Sequence, residues 1–216
     1  MCGAGVMRLI LVRHGETAHH RAGLRVGRAD VPLNERGLAQ ARALATSFAR
    51  PPVAIYASPL QRARETAAAI ATATGIDVQV VPELVEMDVG EMARLSKAEL
   101  RLRYPEFAAQ WRSEGAADAR VPGGETLREV QERAWRAVEQ IQVAHPAGEV
   151  VAVTHDFVIR TIVCRALDLP LARLRRLRQG LAAKTVIELR KEGPALLQLN
   201  DNAHLVAAAL GDDTAG

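Results

Sequence analysis

Cysteine is scarce: only Cys2 and Cys164 occur in 216 residues. Their contexts differ, so Cys164 reads as a buried apolar side chain and Cys2 as incidental, not as a disulfide pair. That usage suits a reducing compartment, and a chain of this length buries a full core without disulfides or a structural metal. Aromatic residues make up only 3%, too few for the stacking surfaces by which nucleic acid is commonly held. No apolar run approaches the ~18 residues of a membrane span. The opening residues carry no cationic segment ahead of an apolar stretch. The expectation is a cytoplasmic protein, with neither nucleic acid nor membrane as partner and with an oligomeric state that the sequence leaves open.

Several ligand-binding signatures are missing too. Gly3 and Gly5 precede the first strand and lack a third glycine, which is the wrong context for a dinucleotide fingerprint. The phosphate-loop motif and a Cys-x5-Arg loop are absent. His14, His19 and His20 share one loop without an obvious fourth ligand, so no metal site is expected, and no cofactor.

What is present describes an ordinary globular chain: 49% hydrophobic, 25% charged, net charge +3. The basic residues are almost all arginine, and one cluster, Arg173, Arg175, Arg176 and Arg178, reads as a solvated basic face. Strand and helix signals alternate. Residues 8–12 form a β-rich apolar run. Residues 34–49 place Leu38, Ala41, Leu44, Ala45 and Phe48 at helical spacing, with Asn34 as N-cap and Pro51 and Pro52 as a stop. A strand at 53–57, an Ala-rich helix at 60–74 closed by Gly75, and a strand at 78–81 follow. Residues 83–122 lack strand signal and read as short helices with a break at Pro105. A long helix at 125–144, a strand at 149–154 and a helix at 157–167 come next. Strands at 184–190 and 195–199 flank Gly193 and Pro194 as a hairpin. The expected fold is a three-layer α/β/α sandwich with a mostly parallel sheet and an antiparallel edge. One domain spans residues 1–216, with flexible ends at 1–6 and 211–216 and a small insertion at 87–122 near the site.

In such sheets ligands bind beyond the carboxyl ends of the strands. Those positions hold Arg13, His14 and Gly15; then Ser58 and Arg62; then Glu83, Glu86 and Asp88; then Thr154, His155 and Asp156. A lone histidine is more often structural than catalytic, but two at equivalent strand ends, one beside an arginine, point to phosphoryl transfer. Guanidinium groups bind a phosphate dianion bidentately. A neutral imidazole acts as nucleophile, nearby cations keep it neutral, and a carboxyl of raised pKa protonates the leaving oxygen.

Leu11-Val-Arg-His-Gly-Glu-Thr17, Ser58-Pro-Leu-Gln-Arg-Ala-Arg-Glu-Thr66 and Val153-Thr-His155 resemble the histidine phosphatase (phosphoglycerate mutase-like) superfamily. The resemblance also takes in Gly27-Arg-Ala-Asp-Val-Pro-Leu33, Glu35-Arg-Gly37 and Pro122-Gly-Gly-Glu-Thr126. It implies that His14 is phosphorylated, that Arg13, Arg62 and His155 complete the phosphate pocket, and that Glu86 donates the proton, with Asp88 as a local rival. It implies no metal. His20 stands where many relatives have Asn and would reach the phosphate. Gly27 and Asp156 are further substrate-binding candidates. The usual Trp-Glu-Gly after the proton donor is Glu91, Met92 and Ala93 here, and the glycine pair after the second histidine is Asp156 and Phe157.

The expected function is hydrolysis of a small phosphorylated metabolite. The alternative is a phosphoglycerate mutase, disfavoured by the short stretch between Glu86 and Gly124; a non-enzymatic binding module is a remote third reading. The insertion arginines Arg94, Arg101, Arg103, Arg112 and Arg120 are candidates for contacting an acidic leaving group, or simply solvated.

Overall fold

A computed structural model of the chain describes residues 5–24 and 26–210. Cys2 and the tail from residue 211 therefore lie outside the described residues, while Cys164 is a free, buried thiol. Among the described residues, six strands make one sheet in the order β3-β2-β4-β1-β5-β6. They are β1 (Met7–Arg13), β2 (Ala54–Ala57), β3 (Val78–Val80), β4 (Gly148–Thr154), β5 (Lys184–Arg190) and β6 (Gly193–Asp201). The pairs β1–β4, β2–β4 and β2–β3 are parallel, and β5 and β6 add an antiparallel edge beside β1.

Strand periodicity explains the layers. Successive side chains of a strand face opposite sides. Met7, Leu9 and Leu11 of β1, with Val150 and Ala152 of β4, enter one core, while Ile10, Val12, Val151 and Val153 enter the other. The first core is completed by α6 (Leu127–Ala144) and α7 (Asp156–Ala166). The second is completed by α2 (Glu35–Ala45) and α3 (Gln61–Thr74). Short helices α1 (Ala18–Arg21), α4 (Lys97–Arg103), α5 (Pro105–Gln110) and α8 (Ala203–Ala207) decorate this frame. No helix of the described residues is long and apolar enough to cross a membrane.

Local chemistry sets the boundaries. Asn34 caps α2 by accepting from Gly37 N, Thr126 and Glu129 form a capping box on α6, and Gly75 ends α3 at φ 74°. Three expectations shift. Helix α2 stops at Ala45, well before the two prolines, because the Thr46 and Ser47 hydroxyls bond back to the Ala43 and Leu44 carbonyls. Leu38 is 40% exposed rather than on the buried face. Gly193 and Pro194 lie inside β6, opposite Arg190 and Leu189, and the turn is Lys191 and Glu192.

Candidate active site

The register of β1 against β4 puts Arg13 opposite Thr154, so the next residue on each strand, His14 and His155, emerges at the same sheet end. His14 N donates to Thr154 O at 3.0 Å, and the two imidazole centroids lie 5.1 Å apart. Strand β2, on the other side of β4, is followed directly by Ser58, whose hydroxyl is hydrogen bonded to His155 Nε2 at 2.7 Å. Arg62, in the first turn of α3, is only 1% exposed and donates from Nε to His14 Nε2 at 3.2 Å. Its two terminal nitrogens donate to Gly27 O and Ala29 O, both at 2.7 Å. Gly27 therefore contributes by seating Arg62.

The loop after β1 is held from beneath. Thr66 Oγ1 accepts from Gly15 N at 3.1 Å and donates to Arg62 O at 2.8 Å. A carbonyl only accepts, so the 2.7 Å contact of His14 Nδ1 with Gly15 O places the proton on Nδ1. The Nε2 lone pair then faces Arg62 and the pocket. Burial, followed by His155, Arg62, Arg13 and His20, drives the His14 pKa well below its ordinary 6.5. His155 is pushed down in the same way, first by burial and then by Arg62 and Arg13. Its Nδ1 is buried without a hydrogen-bond partner among the described residues. His20 approaches His14 at 5.2 Å between centroids, bonds Thr17 Oγ1 through Nδ1 at 2.8 Å, and is pushed down to about 3 by burial and by Arg13. Arg13 donates to Gln179 O at 2.6 Å, while its Nε is buried with no hydrogen-bond partner among the described residues.

Glu86 is 8% exposed, and burial, with Asp156 second, lifts its pKa from 4.5 to about 7. Asp88 does not share this setting: it accepts from Gly90 N at 2.9 Å and faces Arg28 at 3.7 Å, closing a turn instead. Sequence reasoning missed the scaffold behind Glu86. Arg28 Nε and Arg133 both donate to the Glu86 carbonyl, Arg133 also holds Glu83 O and Val85 O, and Glu125 bridges the two arginines. Arg133 falls inside the long helix expected at 125–144, where nothing in the sequence singles it out.

A cavity of about 410 Å³ opens beside this cluster, lined by Arg13, His20, Asp156, Arg160, Arg178 and Asn200 among others. Asp156 pairs with Arg160 one turn along α7 at 3.5 Å. The arginine cluster after α7 is thus divided in use. Arg178 lines the cavity, Arg173 pairs with Glu114 at 2.6 Å, and Arg175 reaches the Trp111 carbonyl. The solvated-face expectation holds, since Arg175, Arg176 and Arg178 are exposed and Arg173 is half-exposed, while three of the four also find a neighbour or line the cavity. Of the insertion arginines, Arg103 pairs with Glu91 and Arg120 with Glu129, and neither lines the cavity. Among the described residues, no group of three or more His, Cys, Asp or Glu is placed to hold a metal ion.

The sequence pattern of the histidine phosphatase superfamily (branch 1) matches residues 9–202. The chain belongs to this superfamily. Phosphoserine phosphatase 1 of Hydrogenobacter thermophilus is 32% identical over 201 residues, covering 93% of this chain and 95% of the relative. The metal-independent phosphoserine phosphatase of Arabidopsis thaliana is 39% identical over 165 residues, 74% of this chain and 68% of the relative. A mycobacterial glucosyl-3-phosphoglycerate phosphatase, solved in complex with VO3, superposes with a TM-score of 0.81 at 29% identity, covering 90% of this chain and 99% of that one. Like that protein, this histidine phosphatase family member has the phosphoglycerate mutase-like α/β architecture, with a mixed sheet and an antiparallel edge.

Proposed function

We propose that the chain hydrolyses a phosphomonoester of a small metabolite through a phosphohistidine at His14, without a metal. The observation that carries this reading is the fixed tautomer: Nδ1 is committed to Gly15 O, so a neutral Nε2 faces the pocket cations. Arg13, Arg62, His20 and His155 surround the phosphoryl oxygens, and the guanidinium groups supply the charge that a divalent ion would otherwise supply. The Arabidopsis relative is itself described as metal-independent. Nε2 attacks phosphorus and forms the P–N bond while the P–O bond to the leaving group breaks. Glu86, protonated near neutrality, gives its proton to the departing oxygen. Its carboxylate then takes a proton from the water that cleaves the P–N bond, which returns both groups to their starting states.

The test is rapid quenching with labelled substrate, followed by alkaline mapping, since phosphohistidine survives base. Label on His14, and its loss with several orders of magnitude of turnover in His14→Ala, are expected. His155→Ala turns over slowly but still labels His14. Label on another residue overturns the proposal. Release of inorganic phosphate, not an isomerised sugar acid, separates phosphatase from mutase.

A further inference from the structure

His14 and His155 follow paired strand ends, both buried, with imidazole centroids 5.1 Å apart. Burial is the first cause that drives each well below the ordinary 6.5, so both are neutral. A neutral imidazole has one donor nitrogen and one lone pair, so the tautomer decides which ring attacks and which donates. Gly15 O settles it for His14 by holding the proton on Nδ1, which leaves the lone pair on Nε2. For His155 the partner is the fully buried Ser58, whose hydroxyl meets Nε2 at 2.7 Å. A hydroxyl can give or take that bond, and its other partners decide which. Ser58 Oγ accepts from Leu60 N at 3.3 Å, and its hydrogen has no acceptor besides His155 Nε2 among the described residues. A proton on Nε2 would leave that buried hydroxyl hydrogen unpaired, which protein interiors rarely tolerate. Ser58 therefore donates to Nε2, and the His155 proton sits on Nδ1.

We infer that Ser58 is a positioning residue that sets the His155 tautomer: it occupies the Nε2 lone pair, so His155 does not compete with His14 as nucleophile, and it leaves Nδ1–H to donate to a phosphoryl oxygen. The inference rests on the proposed phosphatase reading. His155 Nδ1 is buried with no partner among the described residues, and a buried donor of this kind calls for an acceptor that a ligand brings. The backbone fixes the serine for this task, since Ser58 N donates at 2.9 Å to Val153 O, two residues before His155. The two histidines thus share one tautomer and use opposite ends of it.

The experiment is nitrogen NMR of the histidine-labelled full chain near neutral pH, with His155 signals assigned by their loss in His155→Ala. Wild-type protein should show a protonated Nδ1 and a lone-pair Nε2 on His155, and saturation with inorganic phosphate should move the Nδ1 signal. Ser58→Ala should bring Nε2–H into the tautomer mixture and cut kcat/KM roughly 10–100-fold, the range of a hydrogen bond to a charged group. Ser58→Thr, which keeps the hydroxyl, should recover most of that loss. Because Ser58 acts through His155, adding Ser58→Ala to His155→Ala should cost less than about twofold further. A merely structural serine would cost the same in both backgrounds, and that result overturns the inference. So does a wild-type His155 protonated on Nε2, or an Nδ1 signal indifferent to phosphate. These two readings need no variant of Ser58, so they decide the matter even if Ser58→Ala does not fold. Any of these results with labelled His14 still formed leaves the phosphatase reading standing, whereas absence of label from His14 removes that reading and leaves the tautomer measurement intact.

Discussion

Arg28 donates from Nε to the Glu86 carbonyl at 3.0 Å, and the carbonyls on either side of it, Gly27 O and Ala29 O, seat the Arg62 guanidinium. One tripeptide therefore contacts both the proposed phosphate clamp and the backbone of the proposed proton donor.

Arg28→Ala should lower kcat about tenfold for esters of poor leaving alcohols, the cost of about one buried hydrogen bond. It should also move the alkaline limb of the pH profile, because the Glu86 carboxyl shifts in its pocket. KM should change less than kcat, and Arg28→Lys should recover part of the loss. A uniform loss on every substrate with an unmoved pH profile would show a role in folding only.

Glu86→Gln should slow hydrolysis of alkyl phosphates by about 100-fold or more while affecting nitrophenyl phosphate far less, since general acid catalysis contributes most where the leaving oxygen is basic. The pH dependence follows from the raised pKa. In wild-type protein, kcat/KM for alkyl phosphates should fall as pH rises through about 7, where Glu86 loses its proton.

Stability carries the same signature. The folded carboxyl binds its proton more tightly than the unfolded one, so its stabilising contribution is full below the ordinary 4.5 and is lost as pH rises through about 7. Glu86→Gln should therefore raise Tm relative to wild type at pH 8 and not at pH 4, as scanning calorimetry at the two pH values would read.

Gly37 lies against the loop that carries His14. A Cβ at Gly37 would meet Glu16 O at 2.1 Å and Glu16 N at 2.8 Å, both backbone atoms without freedom to yield. Gly37→Ala should cost roughly 1–3 kcal/mol in urea denaturation and depress kcat by shifting His14, while exposed Leu38→Ala should stay within about 0.5 kcal/mol of wild type.

Exhaustive chelation with EDTA should leave turnover intact, because the proposed charge stabilisation comes from Arg13 and Arg62. Loss of activity restored by one divalent ion would count against that division of labour.

What the sequence by itself determined is what short-range chemistry encodes. The apolar runs at 8–12 and 149–154 specified two buried strands, Asn34 and Gly75 marked a helix start and a helix end, and the motif around Arg13 and His14 marked a strand end. Parallel pairing then gives His14 and His155 one address, because β1 and β4 end in register. Tertiary structure decided the rest. Glu86 and Asp88 are chemically near-equivalent in sequence; burial beside Asp156 raises one, and the Gly90 turn occupies the other. Arg28 and Arg133 look like any surface arginines until the chain brings the Glu86 carbonyl to both. Arg178 sat in a cluster read as a solvated face and is exposed, but only the folded chain places it on the cavity lining with Arg160. Local patterns fix which face a residue takes, whereas the partner across the cleft depends on contacts between segments far apart in sequence, and those exist only once the layers have packed.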